Sequence, residues 1–114
     1  MTLNETIKKI LMEEKNLIPM IRRRVPHYVL EGEFKESLDM SSNMLVNVNK
    51  NDGTIMDLNR FIDVTISILI DGIHYDIYST MPLDSQWYDE VMESLKKYYK
   101  HRIEVRYNQL IERL

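Results

Sequence analysis

From position 61 to 81 the chain alternates. Ile62, Val64, Ile66, Ile68 and Ile70 stand two apart, with Asp63, Thr65, Ser67 and Leu69 between them. Side chains two apart share one side of a β-strand. The Asp71-Gly72 that follows suits the two-residue turn whose central residues both take positive φ. Pairing Ile70 with Ile73 then sets Ile68 opposite Tyr75, Ile66 opposite Ile77 and Val64 opposite Ser79. The pattern predicts a β-hairpin with one apolar face, and such a face has to be covered by helices.

On either side of the hairpin the spacing changes to three and four. Thr2-Leu3-Asn4-Glu5 has the form of a capping box, and Leu3, Ile7, Ile10, Leu11 and Leu17 continue from it as a helical stripe. Pro19 and Pro26 each interrupt a helix that tries to pass through them. Val29, Leu30, Phe34 and Leu38 predict a second helix over 26–38, although Gly32 costs about 1 kcal/mol there relative to alanine. Ser41-Ser42-Asn43 reads as punctuation. Met44, Val46 and Val48 alternate again and end at Lys50-Asn51-Asp52-Gly53, which predicts a short third strand and a turn.

Pro82 ends the sheet, and Asp84 is placed to cap a last helix, with Leu83 and Tyr88 as its hydrophobic staple. Residues 85–114 contain neither Pro nor Gly. Met92, Leu95, Tyr99, Ile103, Tyr107, Leu110 and Leu114 form one seam. The expected architecture is therefore α+β: two N-terminal helices, a small antiparallel sheet of two or three strands with the Asp71-Gly72 hairpin, and a long C-terminal helix. A chain of 114 residues suffices for a single domain over 1–114.

Composition removes some chemistries. Without cysteine, a disulfide framework, a thiolate metal site and a cysteine nucleophile are all excluded. The charged positions within the N-terminal stripe do not fit a signal peptide, and the uncharged run from Val64 to Ile70 is too short to span a bilayer. Cytoplasmic residence, or incorporation into a particle assembled there, is the expectation. His74 and Asp76 would share one side of a strand, but no third group joins them, so no metal, cofactor or small-molecule substrate is expected. No GxSxG, Walker, HExxH or EF-hand pattern occurs, and the chain is read as non-enzymatic.

A helix of roughly 30 residues, at about 1.5 Å each, overhangs a small sheet and leaves apolar surface for a neighbour. Protein partners are expected, as a homo-oligomer or a larger assembly. The candidate contact residues are Arg22, Arg23, Arg24, Trp87, Tyr99, Ile103, Tyr107 and Leu110. In its Asn-, Ile-, Lys- and Tyr-rich composition and small size the chain is similar to proteins of low-GC bacteria and their phages, among which head, neck and tail connector subunits often combine helices with a projecting hairpin. That likeness covers no motif and implies an assembly subunit. Two alternatives compete with it. In the first, Arg22, Arg23, Arg24, Lys96, Lys97, Lys100, Arg102 and Arg106, interleaved with tyrosines, bind nucleic acid. The net charge of −3 weighs against this. A winged helix-turn-helix regulator has a similar order of elements, but its wing carries basic residues where Asp71-Gly72 stands. In the second, the chain is a small inhibitor of a host or phage factor.

Overall fold

The computed structural model describes residues 27–77 and 85–114, and the described residues form three helices with no strand. Helix α1 spans His27–Asp52, α2 spans Leu58–Ile77 and α3 spans Ser85–Arg113. The α+β expectation is thus overturned. The Asp71-Gly72 hairpin as far as Ile77 and the strand over Met44, Val46 and Val48 are helix instead, and residues 78–81 of the expected hairpin lie outside the described residues. The capping box at Thr2, the stripe from Leu3 to Leu17, and Asp84 lie outside the described residues.

Burial along α2 shows why alternation misleads. Ile62, Ile66 and Ile70 are four apart as well as two apart, so they fit either periodicity. Phe61, Thr65 and Leu69 decide the matter. A hairpin sends Thr65 and Leu69 to its wet side, yet all three are fully buried. Val64 and Ile68, which the hairpin puts on the apolar side, are half-buried. The set 61, 62, 65, 66, 69, 70 and 73 is the wide stripe of an amphipathic helix. Asp71-Gly72 falls within it. Gly72 has a packing role, since a Cβ there would stand 2.5 Å from Glu33 Oε2 on α1.

Helix α1 runs well past Leu38 because its serines turn their hydroxyls back onto the helix. Ser37 Oγ donates to the Glu33 carbonyl at 2.8 Å, and Ser42 Oγ to the Leu38 carbonyl at 2.6 Å. This back-bonding lets a small polar residue sit buried inside a helix. Ser37, Ser41 and Ser42 therefore extend the stripe of Leu30, Phe34 and Leu38 to Leu45 instead of ending it.

The turn signal at Lys50-Asn51-Asp52-Gly53 is a real stop, made by helix capping. Gly53 takes φ of 70° and donates its N–H to the Asn49 carbonyl at 2.7 Å, which is the left-handed C-cap. Asp57 then caps α2, its Oδ1 accepting the Arg60 N–H at 2.9 Å. Helix α2 returns antiparallel to α1, with Thr65 against Ser41 and Gly72 against Glu33. Helix α3 retraces α2 in the opposite sense: Tyr88 meets Ser67, Lys96 meets Asp63, and Tyr107 meets Met56.

The predicted long helix over 85–114 is present as α3. Its seam supplies Leu95, Tyr99, Ile103 and Leu110, joined by Val91 beside it, to a core completed by Leu30, Phe34, Leu38 and Leu45 of α1 and by the stripe of α2.

Candidate functional site

The three helices leave a groove between them. Along the outer side of α2, Val64 and Ile68 form the floor, with Met44 of α1 at one edge and Tyr88 and Met92 of α3 at the other. The depression holds about 490 Å³. Its side chains are there by helical spacing: Val64 and Ile68 are four apart, as are Tyr88 and Met92, and residues so spaced stand one above the other on a helix face. Methionine suits such an edge because its unbranched side chain and polarisable sulfur adapt to the shape of what meets it. Met40 and Val46 of α1 are also exposed.

The rim of the groove is acidic. Asp63, Asp89 and Glu93 stand there against a single cation, Lys96. Lys96 Nζ lies 2.6 Å from Asp63 Oδ1 and 3.6 Å from Glu93 Oε1, tying α2 to α3. The hydrogen bond to Asp63 holds the ammonium above its ordinary pKa, opposed by partial burial and aided by the charges of Asp63 and Glu93. A smaller depression of about 270 Å³ lies beside the same bridge and is lined by Asn59, Lys97 and Lys100 among others. Tyr88 closes its end of the groove by donating its hydroxyl proton to Ser67 Oγ at 3.2 Å.

The candidate contact residues of α3 are placed inside the fold. Tyr99 and Ile103 are fully buried, Leu110 is buried, and Tyr107 is half-buried with its hydroxyl donating to the Met56 carbonyl at 2.8 Å. Their apolar surface is therefore covered within one chain, and among the described residues the exposed large apolar side chains of this part are Tyr98 and Val105 on α3 and Leu114 just after it. Trp87 falls in the first turn of α3, and its side chain lies outside the described part. Arg22, Arg23 and Arg24 lie outside it as well.

Of the five described cations of the nucleic-acid set, four are paired on the protein itself. Arg102 reaches Glu31 at 2.8 Å while its guanidinium stacks over the Phe34 ring at 4.6 Å from the centroid. Arg106 approaches Asp39 at 3.6 Å, and Lys100 approaches Glu104 at 3.8 Å. With Lys96 held by Asp63, Lys97 alone of the five has no ion pair among the described residues. The case for His74 and Asp76 on one side rested on strand geometry, which α2 does not have. Among the described residues no group of three or more His, Asp or Glu side chains is arranged to hold a metal ion.

The groove itself was missed in the sequence. Val64 and Ile68 were absorbed into the hairpin, and Met44 into a strand. The available signal was a second apolar row on α2, displaced from the stripe through Phe61 and Leu69. No described helix is long and apolar enough to cross a membrane. No family model, curated protein or solved structure matches the chain.

Proposed function

We propose that this chain is a non-enzymatic subunit of a protein assembly, and that its working surface is the α2 groove, which receives a basic amphipathic helix from a partner. The observation that carries this reading is the combination at one place of a methionine-edged apolar floor and a rim of three carboxylates against one ammonium. An amphipathic helix laid in a groove contributes its apolar side to the floor, and its flanking charges select for the rim. Lys96 offsets one of the three carboxylates, and the remaining net charge of −2 at Asp63, Asp89 and Glu93 selects lysine and arginine. The internal pairing of Lys96, Lys100, Arg102 and Arg106 supports a protein partner over nucleic acid, because a cation already held by a carboxylate neutralises a phosphate less well.

The test is a titration of the full chain with a synthetic basic amphipathic helix, followed by methyl resonances. Saturable shifts confined to Met44, Val64, Ile68 and Met92 are expected. They should weaken in the Asp63→Lys, Glu93→Lys double variant and be absent with a peptide of reversed charge. Equal response to both peptides, or none, would remove the groove as the working surface. Salt-sensitive retardation of DNA or RNA, lost on changing Arg22, Arg23 and Arg24 to alanine, would move the function to those arginines instead.

A further inference from the structure

The groove and the smaller depression lie end to end along the seam between α2 and α3, and they carry opposite charge. Asp63, Glu93 and Lys96 line both. To this shared bridge the groove adds Asp89, and the smaller depression adds Lys97 and Lys100. The groove is therefore net −2 and its neighbour net +1. Asp89 and Lys97 have no ion pair among the described residues. Lys100 has the loosest pairing of the other cations on α3, with its side chain 62% exposed and 3.8 Å from Glu104.

The order of these charges on α3 is unchanged when the helix is reversed and the signs are exchanged. Asp89, Glu93, Lys96 and Lys100 are spaced by four, three and four residues, so they stand on one line of the helix. The pair Asp89 and Lys100 and the pair Glu93 and Lys96 share one midpoint, between Ser94 and Leu95. A two-fold axis crossing α3 there sets the carboxylates of one copy against the ammonium groups of another, which is the self-complementarity an isologous contact needs. Lys96 is already held by Asp63, and Lys97 beside it is the cation left for Glu93 of the second copy. Because Tyr88 meets Ser67 and Lys96 meets Asp63, the axis passes about level with Val64 on α2. Val64 then faces its own copy. The methylene stems of Lys97 and Lys100 come over Met92 and Tyr88 of the second copy, with their charged ends towards its rim.

We propose that the occupant of the α2 groove is a second copy of this chain, in an antiparallel two-fold pair in which Lys100 of each copy bonds Asp89 of the other and Lys97 bonds Glu93. The basic helix that the groove selects is then the 96–106 part of α3, which carries Lys96, Lys97, Lys100, Arg102 and Arg106 against Glu104. This rests on the groove's being the working surface and names its partner.

Sedimentation of the full chain over a rising concentration series tests the pairing. The parent should form a dimer. Asp89→Lys and Lys100→Asp each oppose like charges at both symmetric contacts, and each alone should raise the dimer dissociation constant by about tenfold or more. Mixing the two variants should restore the dimer, since a heterodimer regains both opposite-charge contacts. Both residues are exposed on α3, and circular dichroism checks that the variants stay helical. A parent that dimerises while the mixed variants stay monomeric overturns this pairing, and a parent monomeric throughout overturns the second copy.

The synthetic basic peptide separates this inference from the groove reading. Lys100 does not line the groove, so the Lys100→Asp monomer keeps it intact and open and should bind the peptide more tightly than the parent dimer. A parent that stays monomeric yet binds the peptide refutes the second copy and leaves the groove reading standing. A parent that neither associates nor binds the peptide removes both.

Discussion

The rings of Phe34 on α1 and Tyr99 on α3 are stacked, with centroids 4.1 Å apart and planes 13° from parallel. Tyr98 meets the same tyrosine edge-on at 4.7 Å, and the Arg102 guanidinium lies 4.6 Å from the Phe34 centroid and 5.6 Å from that of Tyr99. A residue expected from its seam to meet a partner is thus the hub between two helices. Tyr99→Ala should destabilise the chain by about 3–5 kcal/mol, the usual cost of emptying a large aromatic site. Tyr98→Ser, at a side chain 37% exposed, should cost far less. Urea unfolding followed by circular dichroism compares the two. If Tyr99→Ala unfolds at the parent's midpoint and loses only association, the residue belongs to an interface and the packing reading fails.

The contact between α1 and α2 turns on two hydroxyls. Ser41 Oγ and Thr65 Oγ1 are 2.6 Å apart in a fully buried position. Ser41 Oγ also lies 3.1 Å from the Leu38 carbonyl, and Thr65 Oγ1 lies 2.9 Å from the Phe61 carbonyl. Two hydroxyls have two protons for three contacts, so one donates across the helices while the other donates to its own backbone. Thr65→Val should cost about 1–2 kcal/mol by removing a partner in a dry place. Adding Ser41→Ala should cost less than the sum of the single changes, because no orphaned hydroxyl then remains. A denaturant double-mutant cycle measures the difference. Strict additivity would mean that the hydroxyls do not communicate.

The three glycines should respond to alanine with different signs. Gly32 is exposed within α1 with nothing within 4 Å of an added Cβ, so Gly32→Ala should stabilise by about 0.5–1 kcal/mol. Gly53 holds φ of 70° at the end of α1, and Gly53→Ala should destabilise by about 1 kcal/mol through strain. Gly72→Ala gains helix propensity but must move the Glu33 carboxylate aside, so it should fall below Gly32→Ala. Thermal midpoints rank the three. If Gly72→Ala stabilises more than Gly32→Ala, the close approach of Gly72 to α1 has no energetic weight.

Part of this fold was readable without coordinates. A seam without Pro or Gly over 85–114 could only be helix, and α3 follows it. Leu30, Phe34 and Leu38 likewise announced the start of α1. The middle of the chain deceived for a physical reason. Periods of two and of nearly four coincide on every second member, so Ile62, Ile66 and Ile70 were evidence for both structures. The arbitrating residues were Thr65, whose hydroxyl bonds back to the Phe61 carbonyl, and Gly72, which is a contact and not a turn. A serine run likewise reads as a break until its hydroxyls are seen to bond the preceding turn. The candidate site was less legible still, because a groove needs three helices in place before Met44, Val64 and Met92 meet.

The Lys96 bridge makes a prediction about pH. Its ammonium is held above its ordinary value of 10.5, mainly by the hydrogen bond from Nζ to Asp63. A lysine whose pKa is raised on folding binds its proton more tightly in the folded state. Its stabilising contribution is complete below the unfolded value and is lost as pH rises through the folded one. The window thus begins near 10.5 and extends upward. The Asp63 side chain is 54% exposed, so the bridge is screened by water and is worth no more than about 1 kcal/mol. Lys96→Met should lower stability by up to that amount at pH 7, and the gap from the parent should shrink above pH 10.5. Urea midpoints of both proteins at pH 7 and at strongly alkaline pH make the comparison. A gap that stays constant across the window would show that Lys96 contributes by packing its methylene chain, not by its charge.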